Sequence, residues 1–157
     1  MTNEIRQIKC YVDGSYSKSQ PEVYGWGVSI YNDSGLKLDE VYGHGAEFIE
    51  SWQIGGECEA VLQALEYAAL HGVTDIVLYH DYIGLSHWAQ GTWKTNKDVS
   101  KRYKAAYCQL ENQLYQIARK NNQHFNIQFV KVKGHSNNIG NDDADRLANM
   151  GRVMYYN

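Results

Sequence analysis

Proline is almost missing from this chain, with Pro21 alone among 157 residues. That excludes proline-rich linkers and recognition tracts, and no low-complexity segment takes their place. Cysteine is scarce as well. Cys10, Cys58 and Cys108 are odd in number, widely spaced, and form no CxxC or zinc pattern. Two of them fall in apolar-periodic segments, so buried free thiols in a reducing compartment are expected. No run approaches the ~18–20 apolar residues of a membrane span, and the opening MTNEIRQIKC lacks the apolar core of a signal peptide. A cytoplasmic protein with no membrane partner is therefore expected. Positive charge is not in excess either, the net charge being −3 with His neutral. A sequence-blind nucleic-acid binder carries a basic stripe, so that class is disfavoured. An enzyme that gathers carboxylates to hold cations is not, because the metal then supplies the positive charge a phosphate needs.

What is present suits one domain spanning 1–157, large enough to bury roughly 70% of the surface an unfolded chain exposes. Hydrophobic residues make up 43% of it, enough for an ordinary core. Tyrosine is abundant at 13 residues, which suits half-buried sheet faces and base stacking. Residues 5–12 alternate through Ile5, Ile8, Cys10 and Val12, a strand ending at Asp13-Gly14-Ser15. Residues 24–31 and 36–43 read as strands around the turn Asn32–Gly35, with Trp26 in the core. Residues 57–71 change to helical spacing and stop at Gly72. A strand at 75–80 ends at Asp81, and a short helix covers about 83–90. A polar loop runs over 91–99, a long helix over about 100–121 and a strand over 125–133. After a loop from Gly134 to Asn141, a last helix begins near Asp142. The order βββ-α-β-α-α-β-α predicts an α/β fold: a five-stranded mixed sheet, three antiparallel strands then parallel ones, flanked by helices.

The acids fall at the ends of these elements. Asp13 and Asp81 follow apolar strands, where ligands of α/β sheets gather, although Asp is also a common turn residue there. If the first and fourth strands are neighbours, the two carboxylates meet. Glu57 lies in the first turn of the alanine-rich helix, where an acid also complements the helix dipole; Glu59 competes with it for any active role. Asp142, Asp143 and Asp145 open the last helix, where capping favours acids, so one or two of them at most do chemistry. His135 sits in the polar loop KGHSNNIGN, suited to proton transfer or product release. Carboxylates converging without His or Cys ligands select hard cations, Mg2+ or Mn2+ over zinc. Two such ions clamp an in-line phosphoryl displacement. No Ser–His–Asp or Cys–His arrangement competes, and no Walker-type loop is present. Trp88, Trp93, Lys94 and Lys97 form an aromatic–basic cluster that either holds phosphates or is a plain amphipathic surface.

Four separated strings carry a resemblance: YVDGS at 11–15, GECEAVLQAL at 56–65, YHD at 79–81 and KGHSNNIGNDDADRLA at 133–148. In order and spacing they resemble type 1 ribonucleases H of the bacterial or phage-like branch, over about residues 6–152. The resemblance implies the RNase H-like fold and endonucleolytic hydrolysis of the RNA strand of RNA–DNA hybrids, leaving 5′-phosphate products. It implies two Mg2+ ions, with Mn2+ able to substitute, held by Asp13, Glu57, Asp81 and Asp145. Glu57 rather than Glu59 starts the family's Glu-x-x-Ala pattern, and His135 matches the loop His that assists turnover. Gly14, Ser15, Gln53, Trp93, Lys94 and Asn141 are the implied substrate contacts, in a monomer. The chain departs from the family at the lead-in Ser51–Gly56, where many relatives carry Asn-Asn for the minor groove and Gln53 is the substitute. The basic protrusion is reduced over His87–Lys94, and an N-terminal hybrid-binding domain of the kind some relatives carry is not expected. Rival readings are a junction-cutting nuclease of the same fold, which would usually be more basic, and a non-catalytic relative, which would have lost one of the acids.

Overall fold

Side chains on a strand alternate between two faces, and the first strand uses both. In the computed structural model, which describes residues 5–95, 97–132 and 138–157, strand β1 (Ile8–Ser17) buries Ile8, Cys10 and Val12 on one face. It lies at the centre of a sheet ordered β3-β2-β1-β4-β5. The long strand β2 (Gln20–Asn32) and β3 (Lys37–Gly45) pair antiparallel beside it. On the other side β4 (Asp75–His80) and β5 (Asn126–Lys131) run parallel. This is the predicted five-stranded mixed sheet.

Helix α1 (Trp52–Leu70), preceded by a 3-10 turn at Ile49–Ser51, covers the face of Cys10 and Val12 and carries Cys58, Val61 and Leu65 into the core. Helix α2 (Gly84–Gln90) and the long α3 (Asp98–Asn121) extend that layer. Helix α4 (Ile139–Tyr156) packs on β1, β2 and β3; along the middle of β2 it meets the odd-numbered residues Gly25, Gly27 and Ser29, and Ser29 Oγ donates to the Gly140 carbonyl at 2.9 Å. Among the described residues no helix is long and apolar enough to cross a membrane. Trp26 is in the core, and Cys10 and Cys58 are buried free thiols while Cys108 is exposed.

Every predicted element exists, but several boundaries differ, and three of those differences bear on the acids. β1 does not stop at Asp13. Pairing with β4 ends at Tyr11↔Tyr79, while pairing with β2 continues through Asp13↔Gly27 and Ser15↔Gly25. A long partner strand thus overrides the turn propensity of Asp-Gly-Ser. α1 begins five residues before Glu57, at Trp52, where φ is +55°. A non-glycine residue held there costs roughly 1–3 kcal/mol. Gly55-Gly56 reads as a helix breaker in sequence, yet it lies inside the helix, because α1 presses onto β1 there. A Cβ on Gly56 would stand 2.5 Å from the Gly25 carbonyl oxygen and 3.0 Å from Gly14 Cα. α4 begins at Ile139, capped by Asn138, whose side chain accepts from Asn141 N at 3.2 Å. Asp142 is therefore a first-turn residue and not the cap.

The approach of α4 depends on Gly27. A Cβ there would meet Ala148 N at 2.5 Å and the Ala144 carbonyl oxygen and Leu147 Cβ at 2.7 Å. These are mostly backbone atoms, so relief requires the helix to move. Gly27→Ala is expected to destabilise the fold by about 3 kcal/mol, read as a lower urea midpoint. An unchanged midpoint would show that α4 is not seated as described.

Candidate active site

The parallel pair β1 and β4 separates beyond Tyr11 and Tyr79, and each strand carries an aspartate two residues further on. Asp13 and Asp81 thus flank the fork at the point where the sheet changes from antiparallel to parallel. Such a switch point leaves room for a ligand between strands. The predicted adjacency of the first and fourth strands is observed.

Glu57 enters the fork from α1. It is 5% exposed, and its Oε1 accepts from the backbone N–H groups of Asp81 at 2.9 Å and Tyr82 at 3.1 Å. Lying in the second turn of α1, it is not a first-turn dipole partner. Glu59 points elsewhere, accepting from the Tyr24 hydroxyl at 3.2 Å and from Gln63 Nε2 at 3.1 Å. Of the three acids opening α4, Asp143 is taken up by Lys37 at 2.8 Å and the Tyr31 hydroxyl at 2.9 Å. Asp142 is exposed. Asp145 alone stands within hydrogen-bonding reach of the Asp13 carboxyl. The structure therefore brings Asp13, Glu57, Asp81 and Asp145 together, from β1, α1, the end of β4 and α4.

The electrostatics of Asp13 and Glu57 follow from burial first and from neighbouring charge second. Burial pushes the Asp13 carboxyl up to about 7; the Gly14 N–H, 2.8 Å from Oδ1, opposes the rise, and the charges of Asp145 and Asp81 add to it. Burial pushes Glu57 up to about 8, with Asp13 adding and the Tyr82 and Asp81 amides opposing. Clustered acids that resist ionising are the donor set that a hard divalent cation relieves. The group is open: among the described residues no three His, Cys, Asp or Glu side chains form a ready-made metal cage. All four are carboxylates, a set whose chemistry would suit Mg2+ or Mn2+ rather than zinc.

A test in chelator follows. An acid whose pKa is raised on folding binds a proton that the unfolded chain has released, between about pH 4 and pH 7–8. Its stability contribution is full below pH 4 and is lost as the pH rises through that window. In EDTA, Asp13→Asn is expected to match the unsubstituted protein near pH 4.5 and to exceed it by about 1–3 kcal/mol at pH 8.5. Thermal melts at the two pH values check this. A difference that does not grow with pH would contradict a buried Asp13 carboxyl that holds its proton.

The other predicted residues are scattered around the fork. Gly14 lies under α1, 2.5 Å being all that would separate a Cβ there from Glu57 N. The Ser15 hydroxyl is engaged by α4: it donates to Asn149 Oδ1 at 2.6 Å and accepts from Arg152 Nε at 3.1 Å. Gln53 is exposed on the first turn of α1, and Asn141 lies in the first turn of α4. Trp93 is 40% exposed and stacks on His87 at 4.6 Å. Lys94 is exposed, and with Ser51, Trp88 and Lys97 it lines a cavity of about 200 Å3. His135 lies outside the described residues. Sequence reasoning missed Tyr82, whose amide anchors Glu57, and Asn149. The latter was available from spacing, since it lies four residues after Asp145 and donates to the Asp145 carbonyl at 3.1 Å.

Comparison with known proteins agrees with this architecture. The family model for RNase H matches residues 6–152. A ribonuclease H of Cyanothece is 33% identical over 94% of this chain and 89% of its own length. One from Orientia tsutsugamushi is 29% identical over 98% and 86%. In fold, the chain is similar to LC11-RNase H1, solved in complex with an RNA/DNA hybrid, with a TM-score of 0.69 and 22% identity over 96% of this chain and 99% of that one.

Proposed function

Because this chain belongs to the RNase H family of endoribonucleases, we propose that it cuts the RNA strand of RNA–DNA hybrids at the fork between β1 and β4, leaving 5′-phosphate ends. The observation that carries this reading is the convergence of Asp13, Glu57, Asp81 and Asp145 from four separate elements. The hybrid bound to LC11-RNase H1 supports the choice of substrate. The four carboxylates would hold two Mg2+ ions, with Mn2+ able to substitute; when bound, such ions activate the attacking water and stabilise the leaving oxygen.

The protein's own groups prepare this. The Asp81 and Tyr82 amides hold Glu57 in one orientation, so its charge is placed before substrate arrives. The Gly14 amide does the same for Asp13. Raised proton affinity at Asp13 and Glu57 means that both release a proton as cations enter, so activity should rise with pH through about 7–8. His135, in the segment between β5 and α4, is assigned to proton transfer or product release. Gly14, Ser15, Gln53, Trp93, Lys94 and Asn141 are assigned to substrate contact. We take the chain as one catalytic domain, monomeric and cytoplasmic.

The test is to offer labelled hybrid, duplex RNA and duplex DNA in Mg2+, in Mn2+ and in EDTA. Cleavage of the RNA strand of the hybrid alone, abolished by EDTA, is expected. Intact hybrid in both metals, or equal cutting of duplex DNA, would sink the reading.

A further inference from the structure

Trp52, at the head of α1, is 52% exposed, the highest value among the exposed aromatic side chains of the described residues. Its backbone is held at φ +55°, a conformation that L side chains rarely adopt. Exposure and strain at one residue are a double cost that a purely structural role does not explain. Its indole stacks on the ring of Tyr16, with centroids 6.4 Å apart and planes 27° apart. The ammonium of Lys18 lies 6.0 Å above the same indole. Tyr16 is the second residue after Gly14 on β1, so the aromatic pair continues directly from the contact where Gly14 touches the Gln53 carbonyl and the Glu57 amide. The cluster therefore borders the carboxylate fork.

We infer that Trp52, backed by Tyr16 and flanked by Lys18, is a nucleic-acid platform that sets the affinity of this chain for its hybrid substrate. The indole presents a flat apolar face for a sugar or base edge, and Lys18 supplies a cation for the adjoining phosphate. Hybrid recognition rests on the shape of a wide, shallow groove, and a rigid aromatic pair suits such a groove better than a flexible amide. In this protein of net charge −3, a contact of that kind replaces part of the missing basic surface. The inference rests on the proposed hybrid substrate.

Its test uses the full chain carrying Asp13→Asn, so that hybrid is bound without being cut, and measures Kd by anisotropy of a labelled hybrid. Trp52→Gly removes the platform and relieves the positive φ, so the fold is not put at risk. It is expected to weaken binding about tenfold with no fall in Tm, while Trp52→Phe stays within about threefold. Lys18→Gln is expected to lower the slope of log Kd against log salt by about 0.7–0.9. Unchanged binding by Trp52→Gly overturns the inference alone, and so does a Trp52→Phe chain as weak as Trp52→Gly or a salt slope unmoved by Lys18→Gln. Failure of the Asp13→Asn chain to prefer hybrid over duplex DNA overturns the functional reading and the platform with it.

Discussion

Asp13→Asn is expected to reduce hybrid cleavage in Mg2+ by about 10³-fold or more, while leaving the protein folded. The substitution changes one oxygen to an amide nitrogen. Asn Oδ1 still accepts from the Gly14 amide at the position where Asp13 Oδ1 does now, and the strand pairing Asp13↔Gly27 involves only backbone. What is lost is one negative charge in the middle of the cluster, between Asp145 on α4 and Asp81 at the end of β4. A cation at such a centre contributes several kcal/mol to a phosphoryl-transfer transition state, and each 1.36 kcal/mol is a factor of ten in rate. Single-turnover rates with saturating enzyme separate this loss from weaker binding. A variant that cuts within tenfold of the unsubstituted chain would remove Asp13 from the machinery.

A pair of substitutions on α1 has the second largest expected contrast. Glu57→Gln should lower cleavage by about 10²–10³-fold, and Glu59→Gln by less than threefold. The two residues are the same amino acid two positions apart in one helix, so helix propensity does not distinguish them, and although Glu57 is buried and Glu59 half-buried, burial alone does not say which one joins the cluster. Their partners do. Glu57 Oε1 accepts two amides from the β4–α2 connection, and a glutamine keeps that oxygen, so the turn stays anchored while the charge disappears. Glu59 accepts from Tyr24 and Gln63, contacts that a glutamine oxygen also serves at a cost of about 1 kcal/mol or less. The same rate assay, with melts to verify folding, checks both. If Glu59→Gln were the silent enzyme and Glu57→Gln the active one, the carboxylate centre would have to be redrawn around β2.

The geometry gives a physical reason for choices that the motif strings had already pointed to, and it shows which local features the residue patterns did not carry. Alternation along β1 and helical spacing in 57–71 are local, and each was legible because the core faces of Cys10, Val12, Val61 and Leu65 obey their own periods. The head of α1 was not legible, since Gly55-Gly56 argues against a helix until Gly56 is seen against Gly14. The extension of β1 past Asp13 was hidden for a similar reason: Asp-Gly-Ser has turn chemistry, and only the partner strand β2 keeps it extended. Capping and the helix dipole alone did not separate Asp142, Asp143 and Asp145, and the choice of Asp145 came from the resemblance of the motif string. They differ because α4 settles onto Gly27, which turns Asp145 toward Asp13 and leaves Asp143 to Lys37 and Tyr31.

By itself, then, the amino-acid sequence determined the element types, their order and the mixed sheet, while the resemblance of its motif strings singled out the four acids as candidates. These depend on side-chain period and spacing, which are local properties of the chain. Tertiary structure alone decided that β1 and β4 part just before Asp13 and Asp81, that Glu57 hangs on the Asp81 and Tyr82 amides, and that Trp52 stays outside the core. Those outcomes depend on which distant backbones come close enough to touch, and no local pattern carries that information.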